Sequence, residues 1–461
     1  MNERVQKRMK PVYRSFPVAR LILLFAAACL ALGGCAESQR PEATGKGTIR
    51  GIHAVTTGQD VAFLIEERSL GNISYKNSTS TQEFDDLSYN FNFDARLSGS
   101  SSSLSRIATE SLTVVPDMDY VFVLTGTIAA PSVLVWESEQ RQWEGTETVL
   151  EISVGHVASD TGAVDVYFAP TGTAPVAGSA RGTLAFGERL PAFEVESGDY
   201  VLTVTAQGDP AAVLFTSTSR DYTERTSVLF TIQNADASIV SGISVRRIEQ
   251  SGTSAEVGDP AFPSTRRFFN SAFGSGSIDV YVGDDFVTPI VSNLAYGAVS
   301  ADTPVPAGES EYTYTAAGNP GAILLEEEDT VVRNTRGTNF VTGEPDDLDA
   351  LVFPDDRRPV TGFGKVRVIQ VATSFDSVDV YLVPAGTDVD DVGPNLPRLA
   401  GNLSSGYVHL EPGDYEISVT EIGEKTLLAG PVPIAVGSSG IVEAAVIDTA
   451  DPNLLDVVIY D

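Results

Sequence analysis

Beyond the first 45 residues, apolar and polar positions alternate with a period of two. In Tyr415-Glu-Ile-Ser-Val-Thr420, Tyr415, Ile417 and Val419 fall on one side and Glu416, Ser418 and Thr420 on the other. Val164, Val166 and Phe168 share a face in the same way. Gly, Pro, Asp and Asn interrupt these runs, and the body of the chain carries no convincing helical period. The pattern predicts half-buried antiparallel strands. One face of each strand has to be covered, and a second packed sheet is the natural cover.

The strands recur as a unit. The tetrapeptide apolar-Asp-Val-Tyr occurs as Val164-Asp165-Val166-Tyr167, Ile278-Asp279-Val280-Tyr281 and Val378-Asp379-Val380-Tyr381. Eleven residues before each Tyr stands a polar residue closing an apolar stretch: His156, Asn270 and Gln370. A second Tyr, 31 to 34 residues on, opens another strand at Tyr200, Tyr312 and Tyr415. A turn and an apolar segment follow, as in Gly208-Asp-Pro-Ala-Ala-Val-Leu-Phe215. A degraded first copy sets His53 ten residues before Phe63, with Asp119-Tyr120 as its second marker. Its 57-residue gap is ascribed to a long surface loop around the serine run Ser98–Ser105.

Residues 46–461 then divide into four copies of about 104 residues, an ordinary β-sandwich length. The expected organisation is a signal peptide at 1–34, a tether at 35–45, and repeats at 46–146, 147–252, 253–362 and 363–461. The fold class is all-β, tandem antiparallel Ig-like sandwiches. The markers resemble those of the bacterial domain-of-unknown-function family 4397, over most of 147–461 and more loosely over 46–146. That resemblance implies exported or lipid-anchored envelope proteins with the domain often in tandem. It implies no catalytic residue.

The N-terminus gives an address. Six basic residues and one acid precede the apolar run Leu21–Leu32, which ends in Gly33-Gly34-Cys35. The run is shorter than the about 20 residues of a spanning helix, so an export signal is the better reading. Leu32-Gly33-Gly34-Cys35 resembles the bacterial lipobox, in which the Cys is lipidated and becomes the new amino terminus. Cys35 is therefore the expected lipidation site, and translation from Met9 would leave the same mature chain. Ala36 rather than Asp follows it, which favours the outer membrane in a Gram-negative cell.

Composition narrows the functions. With 62 acidic and 30 basic residues the net charge is −32, which excludes a nucleic-acid binder. Such a surface repels anionic headgroups, so acyl chains must hold the body to its membrane. Both cysteines precede the body, and it has only three histidines. It lacks the Gly-x-Ser-x-Gly, His-Glu-x-x-His and phosphate-loop motifs, so no catalytic, cofactor-binding or metal residue is assigned. A repeat slot filled by His, Asn or Gln reads as a structural hydrogen-bonding position. The repeated Asp165, Asp279 and Asp379 read as loop-ordering strand residues. Calcium is the one cofactor to weigh, at the acidic loops Asp388–Gly393 and Glu344–Asp349, neither with the spacing of a calcium loop.

Two functions remain: a non-enzymatic envelope module binding a protein or glycan partner, or a hydrolase of cell-wall or extracellular polymers with an unrecognised carboxylate site. The address is directly testable. Radiolabelled palmitate should enter the wild-type protein and not Cys35→Ala, which should accumulate as precursor; equal labelling would contradict a lipid anchor.

Overall fold

In the computed structural model, residues 42–97, 103–283 and 286–460 are described, and Cys35 lies outside them. The chain divides into Met1–Thr44 and Gly45–Asp461. Within the second unit, strands dominate and build eight sheets, two per copy.

All four copies use one strand plan. The first strands are Lys46–His53, Val149–His156, Ser264–Asn270 and Gly364–Gln370. Each lies in the middle of a sheet beside the seventh strand of its copy: Met118–Thr127, Ser227–Asn234, Arg336–Glu344 and Ile441–Asp448. The fourth and eighth strands flank this pair, and the second, third, fifth and sixth form the opposing sheet. In the second copy the sixth strand is broken into Val213–Thr216 and Arg220–Tyr222. There Ser254–Glu256 extends the first sheet past residue 252.

Two sequence expectations change here. The central first–seventh pair is parallel in every copy, whereas all other pairings are antiparallel. Alternation reports which face a side chain takes, not which strand lies beside it. The first copy is also regular. Its fifth strand is Ser88–Arg96, which pairs Val61 with Ala95 as the second copy pairs Val164 with Ala206. By that register Leu64 takes the place of Tyr167, so His53 stands at the common spacing of eleven. Asp119-Tyr120 lies on the seventh strand, which is why its gap looked long. Of the serine run, 98–102 fall outside the described residues, and Ser103–Ser105 open the eleven-residue sixth strand.

Each sandwich has its own core, such as Phe63, Phe91, Phe93 and Phe122 in the first copy. Two further cores lie between copies. Ile52, Val121, Val123 and Trp136 of the first copy pack on Val157, Leu229 and Ile248 of the second. Phe269, Phe340 and Phe353 of the third meet Ile369, Ala445, Ile447 and Tyr460 of the fourth. The sheets holding the first strands thus pack face to face in two pairs. Consequently Ser264–Asn270 and Gly364–Gln370 are buried at every residue, not at alternate ones. Gly155 permits the approach of copies one and two, since a Cβ there would run into the Trp136 ring.

The segment joining copies three and four ties the pairs together. Arg358 Nη1 donates to the Thr56 carbonyl at 3.3 Å and also to that of Gly58. Its guanidinium lies 5.3 Å from the Tyr75 ring, whose hydroxyl donates to Asn234 O at 2.8 Å. Nearby, Lys76 of the first copy pairs with buried Asp236 at 2.8 Å.

If the copies share cores, inter-copy residues should count toward global stability. Phe269→Ala should cost about 3–5 kcal/mol by cavity formation, and Gly155→Ala about 1–3 kcal/mol by overpacking, in urea unfolding. Unchanged unfolding midpoints would mean independent beads.

Candidate functional sites

The polar repeat slots close loops within their own copies. His53 is fully buried; its Nδ1 accepts from the Val55 N–H at 3.3 Å, and Nε2 bonds Gln59 O at 2.8 Å. His156 repeats this with Ala158 N–H and Gly162 O at 3.3 and 3.1 Å. Asn270 Oδ1 takes the Ala272 N–H, and its Nδ2 donates to Gly276 O at 2.9 Å and to Leu294 O at 3.1 Å. Gln370 accepts from Ala372 N–H at 2.8 Å and donates to Phe375 O at 3.0 Å. One acceptor and one donor are needed, and a neutral imidazole or an amide supplies both. Burial pushes His53 down to about 3 and lowers His156 as well.

The strand aspartates do the same for the turn after the fifth strand. Asp165, Asp279 and Asp379 each accept the backbone N–H of a glycine there: Gly208 at 2.7 Å, Gly318 at 2.8 Å and Gly423 at 2.9 Å. Those glycines sit at φ near +75° (75°, 73° and 77°), where a side chain would be strained. The second carboxylate oxygen takes Thr183 Oγ1 in one copy and the N–H of Asn293 or Arg398 in the others. The first copy has Ala62 at this position.

Of the acidic loops, Asp388 caps a 3-10 turn by accepting from Asp390 N–H at 3.0 Å, and Lys425 Nζ donates to the Val389 and Val392 carbonyls there. Glu344 accepts from Thr373 Oγ1 at 3.3 Å, and Asp349 takes the N–H of Ala350 at 2.8 Å. Among the described residues no three His, Cys, Asp or Glu converge as a metal site.

Motif reading missed a buried cluster of arginines and carboxylates between copies three and four. Asp355 receives Arg367 Nη2 at 2.7 Å, Arg267 Nη2 at 3.1 Å and Arg357 Nη2 at 3.0 Å. Glu443 pairs with Arg267 and Arg367 and accepts from Tyr407 OH at 2.6 Å. Arg357 also forks onto Asp302 at 2.6 and 2.8 Å. Burial raises a carboxyl pKa, but Arg367 and Arg267 beside Asp355 hold it below the usual range. The sequence did carry a signal: three residues before the polar slot stand Arg50, Arg267 and Arg367.

The junction between copies one and two is built on the same register with other residues. Arg50 pairs across to Val121 where Arg267 pairs to Thr338. Asp119 stands opposite Ser138; at the same step Arg336 O accepts from Asp355 N–H, so Ser138 takes the place of Asp355. In the second copy Ser153 faces Leu229 where the fourth sets Arg367 against Glu443. A cavity of about 270 Å³ opens here, lined by Arg50, Ser138, Ser153, Leu229 and Arg189 among others. Arg50 is 6% exposed, gives Glu249 O one bond at 3.1 Å, and has no partner at Nε. Arg189 donates to Ser153 Oγ at 2.7 Å and Ser138 Oγ at 3.3 Å. Burial lowers both guanidinium pKa values against the opposing pull of Asp119. Among the described residues neither arginine meets a carboxylate within ion-pair distance.

The domain-of-unknown-function family DUF4397 matches residues 47–167 and 264–381, together just over half of the chain. Each match runs from the first strand of one copy to the second strand of the next, and the first takes in the copy whose markers looked most degraded. No curated protein matches. A solved structure titled "The Bacillus anthracis TIE protein" is similar at 9% identity over 95% of this chain and 80% of that one. Its TM-score of 0.15 carries no structural argument.

The buried imidazoles predict a pH dependence. The unfolded chain takes up protons at these histidines below about 6.5, while in the folded chain His53 waits until about 3 and burial lowers His156 too, so stability should fall as pH drops from 7 to 5. The slope limit is about 1.4 kcal/mol per pH unit per histidine. His53→Gln, copying Gln370, should flatten that slope in urea titrations; an unchanged slope would refute the neutral-imidazole clamp.

Proposed function

The chain belongs to the DUF4397 family, and from that premise we propose that it is a non-enzymatic envelope module, held to a bacterial membrane by acyl chains on Cys35 and presenting paired β-sandwiches to a protein or glycan partner. One observation carries the reading: the repeated His/Asn/Gln slot and the repeated strand aspartate are spent on backbone groups of their own copies. A catalytic group has to keep a free functional atom for substrate. No described helix is long and apolar enough to cross a membrane. The outer membrane is its proposed location, since no Asp follows Cys35.

A hydrolase keeps one foothold. Glu151, whose pKa burial raises, lines the cavity between copies one and two together with Asp119. Two carboxyls facing one pocket is the arrangement of a glycosidase. The full-length protein in detergent should show no hydrolysis of cell-wall or extracellular polysaccharides, with or without calcium. Turnover that disappears in Glu151→Gln would replace the module by the enzyme.

A further inference from the structure

The first junction has the arginine of the second junction without the acids that neutralise it there. Between copies three and four, Asp355 and Glu443 take up the guanidiniums of Arg267 and Arg367. Between copies one and two, Ser138 and Leu229 hold the places of those carboxylates, and the space they leave is the cavity. Arg50 remains, almost wholly buried, joined by Arg189 from the loop before the fourth strand of the second copy. Burying a guanidinium without an anion is costly, so the site is primed for one. Asp119 in the same cavity pulls on both arginines without reaching ion-pair distance, so a contacting anion has to come from outside.

The rest of the lining restricts what it can be. Glu83, Asp119, Glu139 and Glu151 line the same cavity, and a chain of net charge −32 surrounds it. Compact multivalent anions are repelled by such a wall. A monoanion rich in hydroxyl groups is not, because those carboxylates then accept hydrogen bonds. Ile248 and Leu229 add an apolar floor of the kind a sugar ring rests on. Beside this cavity, sharing Ser227, Val228 and Gln250, lies a second groove of about 310 Å³ bordered by Arg220, Arg225 and Arg247. Few basic residues exist in this chain, and here they line one continuous path, with Arg247 paired to Glu249 at 3.1 Å and Arg225 paired to Glu224.

We propose that the cavity between the first and second copies binds the carboxylate of a sugar acid, carried on an acidic glycan whose next residues run along the adjoining arginine-lined groove. Arg50 and Arg189 hold the carboxylate, as Asp355 and Glu443 are held in the other pair. This rests on the binding-module reading by naming a ligand class for it. The two fail separately, because the test below records binding and not turnover.

Calorimetric titration of the full-length protein in detergent with galacturonate, trigalacturonate, galactose and sulfate tests the site. Galacturonate should bind at least tenfold more tightly than galactose or sulfate. Arg50→Gln and Arg189→Gln should each weaken it at least tenfold while the protein still melts cooperatively. The trimer should bind at least threefold more tightly than the monomer, with the gain lost in Arg247→Gln; equal affinities would assign the cavity to free sugar acids instead of a glycan. Ser138→Asp, which restores the carboxylate of the other junction, should raise the melting temperature and abolish galacturonate binding. Galactose or sulfate binding as tightly as galacturonate, or Arg50→Gln leaving affinity unchanged, would overturn the proposal.

Discussion

Two carboxylates shared among arginines, buried between the third and fourth copies, are the contact on which the pairing of sandwiches turns. Asp355 is contributed by the third copy's end and Glu443 by the fourth copy's seventh strand, with Arg267 and Arg367 from the two first strands. In water these groups are solvated singly. Once the sheets close, each is tolerable only with the others in place, because an unpaired charge there costs several kcal/mol. The ions therefore fix which sheets meet and in what register, while Phe269, Phe340 and Tyr460 around them supply the apolar area.

The first pair keeps the register and changes the contents. Trp136 over Gly155 brings copies one and two close, and Ile52, Leu229 and Ile248 fill most of the face. Only one junction arginine, Arg50, persists from the common plan. Duplication preserved the strand plan in all four copies, whereas the inter-copy faces diverged, one into a sealed ion cluster and the other into an open pocket. The clamp at His53, His156, Asn270 and Gln370 is kept in every copy, whereas the aspartate of Asp165 is kept in three and is Ala62 in the first.

Much of this was legible in the chain. Spacing located the strand with Asp165, Asp279 and Asp379, and a slot shared by His, Asn and Gln announced a donor–acceptor role, which the bonds of His53 and Gln370 satisfy. Tyr312 was less faithful: it sits two pairing steps further along its strand than Tyr200 and Tyr415 do. Parallel pairing of the first and seventh strands was invisible, because those strands are distant in sequence and alternation does not name a neighbour. The ion cluster was hidden for a related reason. Arg267 and Arg367 are charged residues inside strands, which alternation alone would turn to solvent, and only a second sheet laid over them turns that face inward. The first copy's fifth strand, rich in Phe and Asn, lacks the Gly-Asp-Tyr marker and was passed over for Asp119-Tyr120.

The pairing through buried ions is tested most directly by a double-mutant cycle on Arg267 and Glu443, which lie 176 residues apart in different sandwiches. Arg267→Met and Glu443→Leu should each cost about 3–5 kcal/mol in urea unfolding, since each strands a buried charge. The double variant leaves Arg367, Arg357, Asp355 and Asp302 balanced, so it should cost less than the sum by about 1–3 kcal/mol. Strict additivity, or single variants as stable as the wild type, would contradict a fold held together across its copies by these charges.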